Sequence, residues 1–404
     1  MKACERFLRY IQVHTTSDPA SDAAPSSAIQ LDLARMLAQE MTALGLERAH
    51  VDAFGVVYGW LPATPGCENL PAMGYIAHMD TSPDYPGAHV KPQILPDYDG
   101  GDVVLAGTGD VLSVDRFPTL AALRGMTLIT TDGTTLLGAD DKAGIAEILT
   151  AVEAVIASGK PHGRLCIAFT PDEEIGMGVA HFDIAKFGAR FAYTVDGGRE
   201  GEIAFETFNA ASAEVEIAGM SVHPGSSKGT MINAALVAME YNALLPACDT
   251  PRLTEGYEGF FHLHDMQGDV SGARLSYIVR DHSRAAFESR KQTMRHAAKT
   301  INERYGREVV TLTLRDTYYN MAEQIAPHMF LIENAKKAAA LAGMEPFVEP
   351  VRGGTDGCRL SEMGMPTPNL CTGGFAFHGK FEHIAAESLE RCAKMVELLM
   401  LGEI

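Results

Sequence analysis

Eight side chains in this sequence are of the types that hold divalent metals, and they recur in short motifs: His78 and Asp80 in "AHMDTSPD", Asp140 in "TLLGADDKAGIAEI", Glu173 and Glu174 in "AFTPDEEIGMG", Asp196 in "YTVDGG", and His378 and His383 in "TGGFAFHGKFEH". Zinc takes imidazole nitrogen and carboxylate oxygen, and a catalytic site keeps a position open for water. Two metals about 3.5–4 Å apart need a carboxylate between them and further ligands shared out on either side. Asp140, placed where an apolar stretch gives way to a helix, suits that bridge. The H-x-D spacing puts His78 and Asp80 on one face of a strand, so that Asp80 supports the imidazole from behind. Of the adjacent glutamates one suffices as a ligand, which frees the other to act as a general base. The spacing does not choose between Glu173 and Glu174, or between His378 and His383.

These residues need a frame. The apolar runs "AMGYIAH", "RLCIAFT", "FAYTVD" and "TPNLCTGG" read as buried strands, and each candidate but Asp140, which stands at a helix start, follows or ends such a run. Helical patterns over 140–158, 327–342 and 385–401 alternate with them, after helices at about 3–14 and 28–46 and a strand "HVDAFGVVYGWLP". The expectation is an α/β fold: a central, mostly parallel sheet flanked by helices, with ligands gathered at the carboxyl edge of its strands. Asp140 is expected to cap its helix, with Asp141 a pure capping or supporting residue. The long stretch 83–134 is expected to carry short strands of its own and a functional loop.

Residues 209–320 differ in grain. "AASAEVEIAGM" alternates with period two, and a helix, two strands, a long amphipathic helix and a last strand follow. This β-α-β-β-α-β order predicts an inserted ferredoxin-like α+β domain, leaving 1–208 and 321–404 as the domain that carries the metal ligands.

Composition narrows the function. A net charge of -19 argues against nucleic acid or an anionic membrane as the main partner, and no apolar stretch is long enough to span a bilayer. Seven scattered cysteines without C-x-x-C fit a reducing compartment, and the charged N-terminus does not read as a signal peptide, so a cytoplasmic location is expected.

Together with "VHPGSSKG" and "RGGTDG", the motifs above resemble the tripeptide aminopeptidases of the co-catalytic zinc aminoacylase/carboxypeptidase clan, and the similarity runs nearly from end to end. The resemblance implies two zinc ions per subunit, for which cobalt or manganese could substitute. It implies His78 and Asp196 on one ion, Glu174 and His378 on the other, and Asp140 bridging. It also implies Glu173 as the base that deprotonates a bridging water, and Asp80 behind His78. The inserted domain becomes a lid of the dimerisation type, whose His223 stabilises the oxyanion in its own subunit or in a partner's, which leaves room for a homodimer. Arg280 and Arg352 become candidate clamps for the carboxylate of a short peptide. His383 is read as peripheral.

Overall fold

The four apolar runs become adjacent strands. In the computed structural model, which describes residues 1–404, Leu165–Thr170, Met73–His78, Phe191–Gly197 and Asn369–Cys371 lie side by side and parallel. Their side chains are buried almost without exception, because helices and loops cover both faces of the sheet. On one side Ile76, Cys166, Ala168 and Ala192 pack with Tyr58, Trp60, Phe187 and Leu360. From the opposite side the helix Ala139–Ser158 lies against Met73–His78 and Phe191–Gly197, backed by the helices Ala3–Tyr10 and Ala386–Leu401.

The sheet is mixed: four of its seven strand pairings are parallel, and the antiparallel ones lie toward its edges. The segment read as one strand from 50 to 62 is a hairpin of Glu47–Val51 and Val57–Leu61, antiparallel to each other and, through the second strand, to Leu165–Thr170. Asp52 makes the turn: its Oδ1 accepts from the N–H groups of Phe54 at 2.9 Å and Val56 at 3.0 Å. So short a connection permits only antiparallel pairing. At the other edge Glu202–Ala204 runs antiparallel to Asn369–Cys371 and parallel to Phe347–Val348. The first helix stops at Tyr10, and the chain beyond it bridges Thr16 to Thr81.

The 83–134 stretch does carry strands. Pro92–Leu95 and Leu128–Thr131 form a small antiparallel sheet with Gly374–Phe375 and His383–Ala385, and Val103–Val104 pairs with Val111–Leu112. The loop carrying His378 therefore springs from a hairpin that this excursion supports. Leu120, Leu123, Leu128 and Ala385 form the core beneath it.

By its contacts the chain divides into one unit of residues 1–205, 323–349 and 355–404 and another of residues 206–322 and 350–354. The second unit is an antiparallel sheet in the order Phe260–Gly268, Gly272–Asp281, Asn209–Ala218, Val310–Tyr318, with helices Ala234–Ala243 and Arg284–Tyr305. Period-two alternation is plain along Asn209–Ala218. Ala211, Ala213, Val215 and Ile217 enter the core with Tyr241, Met294 and Ile301, while Glu214 faces outward to Arg274 at 2.6 Å. Residues 350–354, assigned from the sequence to the other part of the chain, pack in this unit, where the Val351 N–H donates to the carbonyl of Glu206 at 2.9 Å. No helix is long and apolar enough to cross a membrane, and all seven cysteines are free thiols.

Candidate metal centre

The ends of the parallel strands in the first unit bring five candidate ligands together. His78 is the last residue of Met73–His78, Asp196 is the penultimate residue of Phe191–Gly197, and Glu174 lies on the short turn Glu173–Ile175 just past Leu165–Thr170. Asp140 enters from the start of the helix Ala139–Ser158 and His378 from the hairpin loop. The two oxygens of Asp140 face different imidazoles: Oδ1 lies 2.9 Å from His78 Nε2, and Oδ2 lies 3.1 Å from His378 Nε2. Each imidazole nitrogen has one more carboxylate of its own, Asp196 Oδ1 at 3.4 Å from His78 Nε2 and Glu174 Oε2 at 2.9 Å from His378 Nε2.

Only a glycine lets the helix come this close. A Cβ at Gly144 would stand 1.9 Å from the carbonyl oxygen of Val195 and 2.5 Å from Asp141 Oδ1, so the first turn presses on the strand that delivers Asp196. Asp140 does not cap the helix as expected. Its backbone is extended (φ -86°, ψ 102°), and helical geometry begins after Asp141. Asp141 is the cap, its Oδ1 accepting from the Gly144 N–H at 3.1 Å while its Oδ2 takes the His78 N–H at 3.1 Å. Asp141 is thereby committed to backbone donors, and the Asp140 carboxylate is left for the cavity.

Asp80 lies beyond the end of the strand rather than on it, and it does more than support His78. Its Oδ1 is 3.3 Å from His78 Nδ1, a nitrogen also 3.1 Å from the main-chain oxygen of Asp80. The same carboxylate accepts the N–H of Glu173 at 3.0 Å and of Glu174 at 3.2 Å. On the far side of that turn Asp172 accepts from the Ser26 N–H at 2.7 Å and from Gln30 Nε2 at 2.6 Å, so the N-terminal segment grips the glutamates as well.

The electrostatics are those of buried acids and imidazoles crowded together. Burial, reinforced by neighbouring carboxylates, pushes Glu173 well above the usual carboxylate range, Glu174 up to about 7 and Asp196 upward. Burial acts in the same direction on Asp140, but hydrogen bonds from His378 and His78 outweigh it and hold its carboxyl below the usual range. Hydrogen bonds to Asp140 and Glu174 push His378 up to about 11. Burial opposes the charge on His78, yet Asp196 and Asp140 raise it well above an ordinary imidazole. Glu174 Oε1 is buried with no partner in the protein. Within one cluster His78, Asp140 and Glu174 offer donor atoms within 4.8 Å of one another, as do His78, Asp141 and Asp196. Imidazole and carboxylate donors, excess buried acid and an unpartnered oxygen fit a dinuclear metal centre.

The remaining candidates are not among these five ligands. His383 is buried, stacks on Phe375 and hydrogen-bonds through Nδ1 with the Phe381 carbonyl at 2.8 Å, away from the cluster. His223, Arg280 and Arg352 all belong to the second unit. His223 is exposed, and its Nδ1 accepts from the Gly225 N–H at 3.1 Å. Arg280 lies over the ring of Tyr318 at 4.9 Å. Arg352 donates through Nη1 to the carbonyls of Gly256 and Glu258 and through Nη2 to Thr254 Oγ1, each at 2.8 Å, so much of its guanidinium is engaged within its own unit.

Three buried carboxylates beside the cluster escaped the sequence reading. Asp172 is described above. Asp356 accepts from Thr170 Oγ1 at 2.8 Å and is pushed up to about 7 by burial, with the Thr170 hydrogen bond opposing. Glu382 accepts three backbone N–H groups from residues 137–140. Each stands inside a quoted motif, but spacing does not separate a buried acid from a solvated one.

Residues 131–402 match the model of peptidase family M20/M25/M40. The chain is 52% identical over 402 residues to a peptidase T of Geobacillus kaustophilus, covering 99% of this chain and 98% of that one. It is 51% identical over 396 residues to a peptidase T of Clostridium perfringens, with 98% and 97% covered. The structure superimposes on the crystal structure of aminopeptidase PepT from Bacillus cereus with a TM-score of 0.79 at 24% identity, covering 99% of this chain and 97% of that one. With its ligand cluster at the carboxyl edge of an α/β sheet and this similarity along almost its whole length, the chain belongs to peptidase family M20/M25/M40 and, within it, to the peptidase T sequences.

Proposed function

We propose that the chain is a cytoplasmic, zinc-dependent aminopeptidase that removes the N-terminal residue from tripeptides. The observation that carries this reading is the placement of Asp140, one oxygen toward His78 and the other toward His378. Two zinc ions would be held by His78 and Asp196 on one side and by Glu174 and His378 on the other, with Asp140 shared; the donor set also accepts cobalt or manganese. When bound, the ions supply Lewis acidity toward the scissile carbonyl and make a coordinated water acidic near neutral pH.

Glu173 carries the proton in this scheme. Its backbone is fixed by Asp80, and burial, with Asp196 and Asp356 adding to it, raises the proton affinity of its carboxyl. It takes a proton from the attacking water and delivers it to the nitrogen of the departing dipeptide. The second unit, which we read as a ferredoxin-like lid on the domain of residues 1–208 and 321–404, contributes His223 as a donor to the developing oxyanion, within one subunit or across a homodimer. Arg280 and Arg352 are assigned to the substrate carboxylate, Arg352 through whatever donor capacity its own unit leaves it. A clamp on that carboxylate would restrict the length of the peptide, and the limit of three residues is taken from the resemblance to tripeptide aminopeptidases.

The test is a peptide series from dipeptide to tetrapeptide, with free and blocked termini, offered to the zinc-loaded protein and to Glu173→Ala. Loss of the first residue from free tripeptides alone, together with a variant that keeps its zinc and does not turn over, supports the reading. Cleavage of N-acyl amino acids in place of free tripeptides would replace it with a deacylase.

A further inference from the structure

The half of the centre around His378 has a support that no strand supplies. His378 sits in a loop at a positive φ of 63°, beyond the short strand Gly374–Phe375, and a strand end does not fix it as it fixes His78. Four residues on, Glu382 turns inward and is buried. Its Oε2 accepts the N–H of Leu137 at 2.7 Å and of Gly138 at 3.0 Å, and its Oε1 accepts the N–H of Asp140 at 3.0 Å. The Glu382 N–H in turn donates to the carbonyl of Gly379 at 3.2 Å, which folds the loop back behind His378.

One side chain thus ties the backbone of the segment carrying Asp140 to the loop carrying His378. We infer that Glu382 is a positioning residue that sets the separation of Asp140 and His378, and so assembles the metal position these two share with Glu174. The inference rests on the metal-centre reading above. It does not extend to the other half, where His78 is aligned by its strand, by Asp80 and by Asp141 through contacts that bypass Glu382.

Backbone N–H groups need an acceptor, and a carboxylate with both oxygens in use meets all three. In Glu382→Gln the amide nitrogen brings a donor to a place that already holds donors. In Glu382→Asp the charge stays, but the side chain is one methylene too short to span them. Removing the outer partners of metal ligands typically weakens metal binding by about 10–100-fold.

The experiment is calorimetric titration of metal-free protein with zinc, paired with the visible absorption of the cobalt-loaded protein, for wild type, Glu382→Gln and Glu382→Asp. Glu200→Gln serves as a control for plain loss of stability, because Glu200 pairs with Arg391 at 2.6 Å in a separate ion pair. The expected result is that one of the two metal equivalents weakens by about 10–100-fold in both Glu382 variants, with a changed cobalt spectrum, while the other equivalent holds as in wild type. Two equivalents of unchanged affinity and spectrum would overturn the inference. So would equal weakening of both equivalents in step with melting temperature, as would failure of both variants to fold, either of which assigns Glu382 to stability alone. Tripeptide turnover by the wild type is measured alongside. Its absence with two ions bound and the selective loss in place would sink the aminopeptidase reading and leave this one standing.

Discussion

The two imidazoles of the centre do similar work from unlike settings. His78 ends a buried strand and its side chain is 2% exposed, whereas that of His378 sits in a loop and is 42% exposed. His78 Nδ1 is backed by Asp80 at 3.3 Å, while the carboxylate behind His378 Nδ1, from the largely exposed Asp84, is 3.6 Å away, beyond hydrogen-bond range. One half is therefore preorganised by the sheet and the other by a loop. We expect a site built this way to hold one ion more firmly than the other, with the looser half the one open to solvent.

The strongest way to break that contrast is Asp140→Ala, which removes the side chain common to both halves. Both equivalents should weaken beyond the roughly 10–100-fold seen for outer partners, and peptide hydrolysis should fall to background, checked by metal analysis and a hydrolysis assay. Glu173→Gln probes chemistry instead of assembly. We expect kcat to drop by about 10²–10⁴-fold with both ions retained, and an equal loss of metal would show that Glu173 is a ligand.

A more direct measure of the contrast is chelation. On treatment with a chelator one equivalent should leave well before the other. His378→Ala should remove the fast phase alone, and a single phase in the wild type would contradict the asymmetry. Smaller still is the comparison of Asp80→Asn with Asp84→Asn. The first should weaken metal binding by about 10–100-fold and the second should change it little, because an exposed carboxylate beyond hydrogen-bond range contributes little.

The smallest expected effect concerns the metal-free protein. Glu174, Asp356 and Glu382 are each pushed up to about 7 by burial, above the ordinary values of 4.5, 3.8 and 4.5. Between those values and pH 7 the folded chain holds more protons than the unfolded one, so stability falls as pH rises through that window. His378, held up to about 11, acts in the same direction above pH 6.5. The melting temperature of the metal-free protein should therefore be lower at pH 8 than at pH 5, and zinc should raise it most at pH 8. A rise with pH in the absence of metal would contradict the reading of these buried acids.

Much of this was legible in residue types and periods. Buried strands show as continuous apolar runs, so Met73–His78, Leu165–Thr170 and Phe191–Gly197 could be placed, and with them His78, Glu173, Glu174 and Asp196 at the strand ends. Period-two alternation likewise marked Asn209–Ala218. The hairpin at 47–61 was missed because its turn rests on Asp52 hydrogen bonds inside an otherwise apolar run. The roles of Asp140 and Asp141 were partly inverted because both aspartates suit a helix start, and only backbone direction tells which one caps.

By itself the sequence determined which residues could bind metal, which edge of which sheet they would occupy, and the family to which they belong. Local pattern carries that much, since burial and period are written residue by residue. The tertiary structure decided which acids are buried and what they hold: Asp80 the glutamate turn, Asp141 the backbone of His78, and Glu382 the segment bearing Asp140. Glu382 grips backbone more than 240 positions away in the chain. No local pattern encodes a contact of that kind, because its acceptor and its donors meet only when the chain has folded.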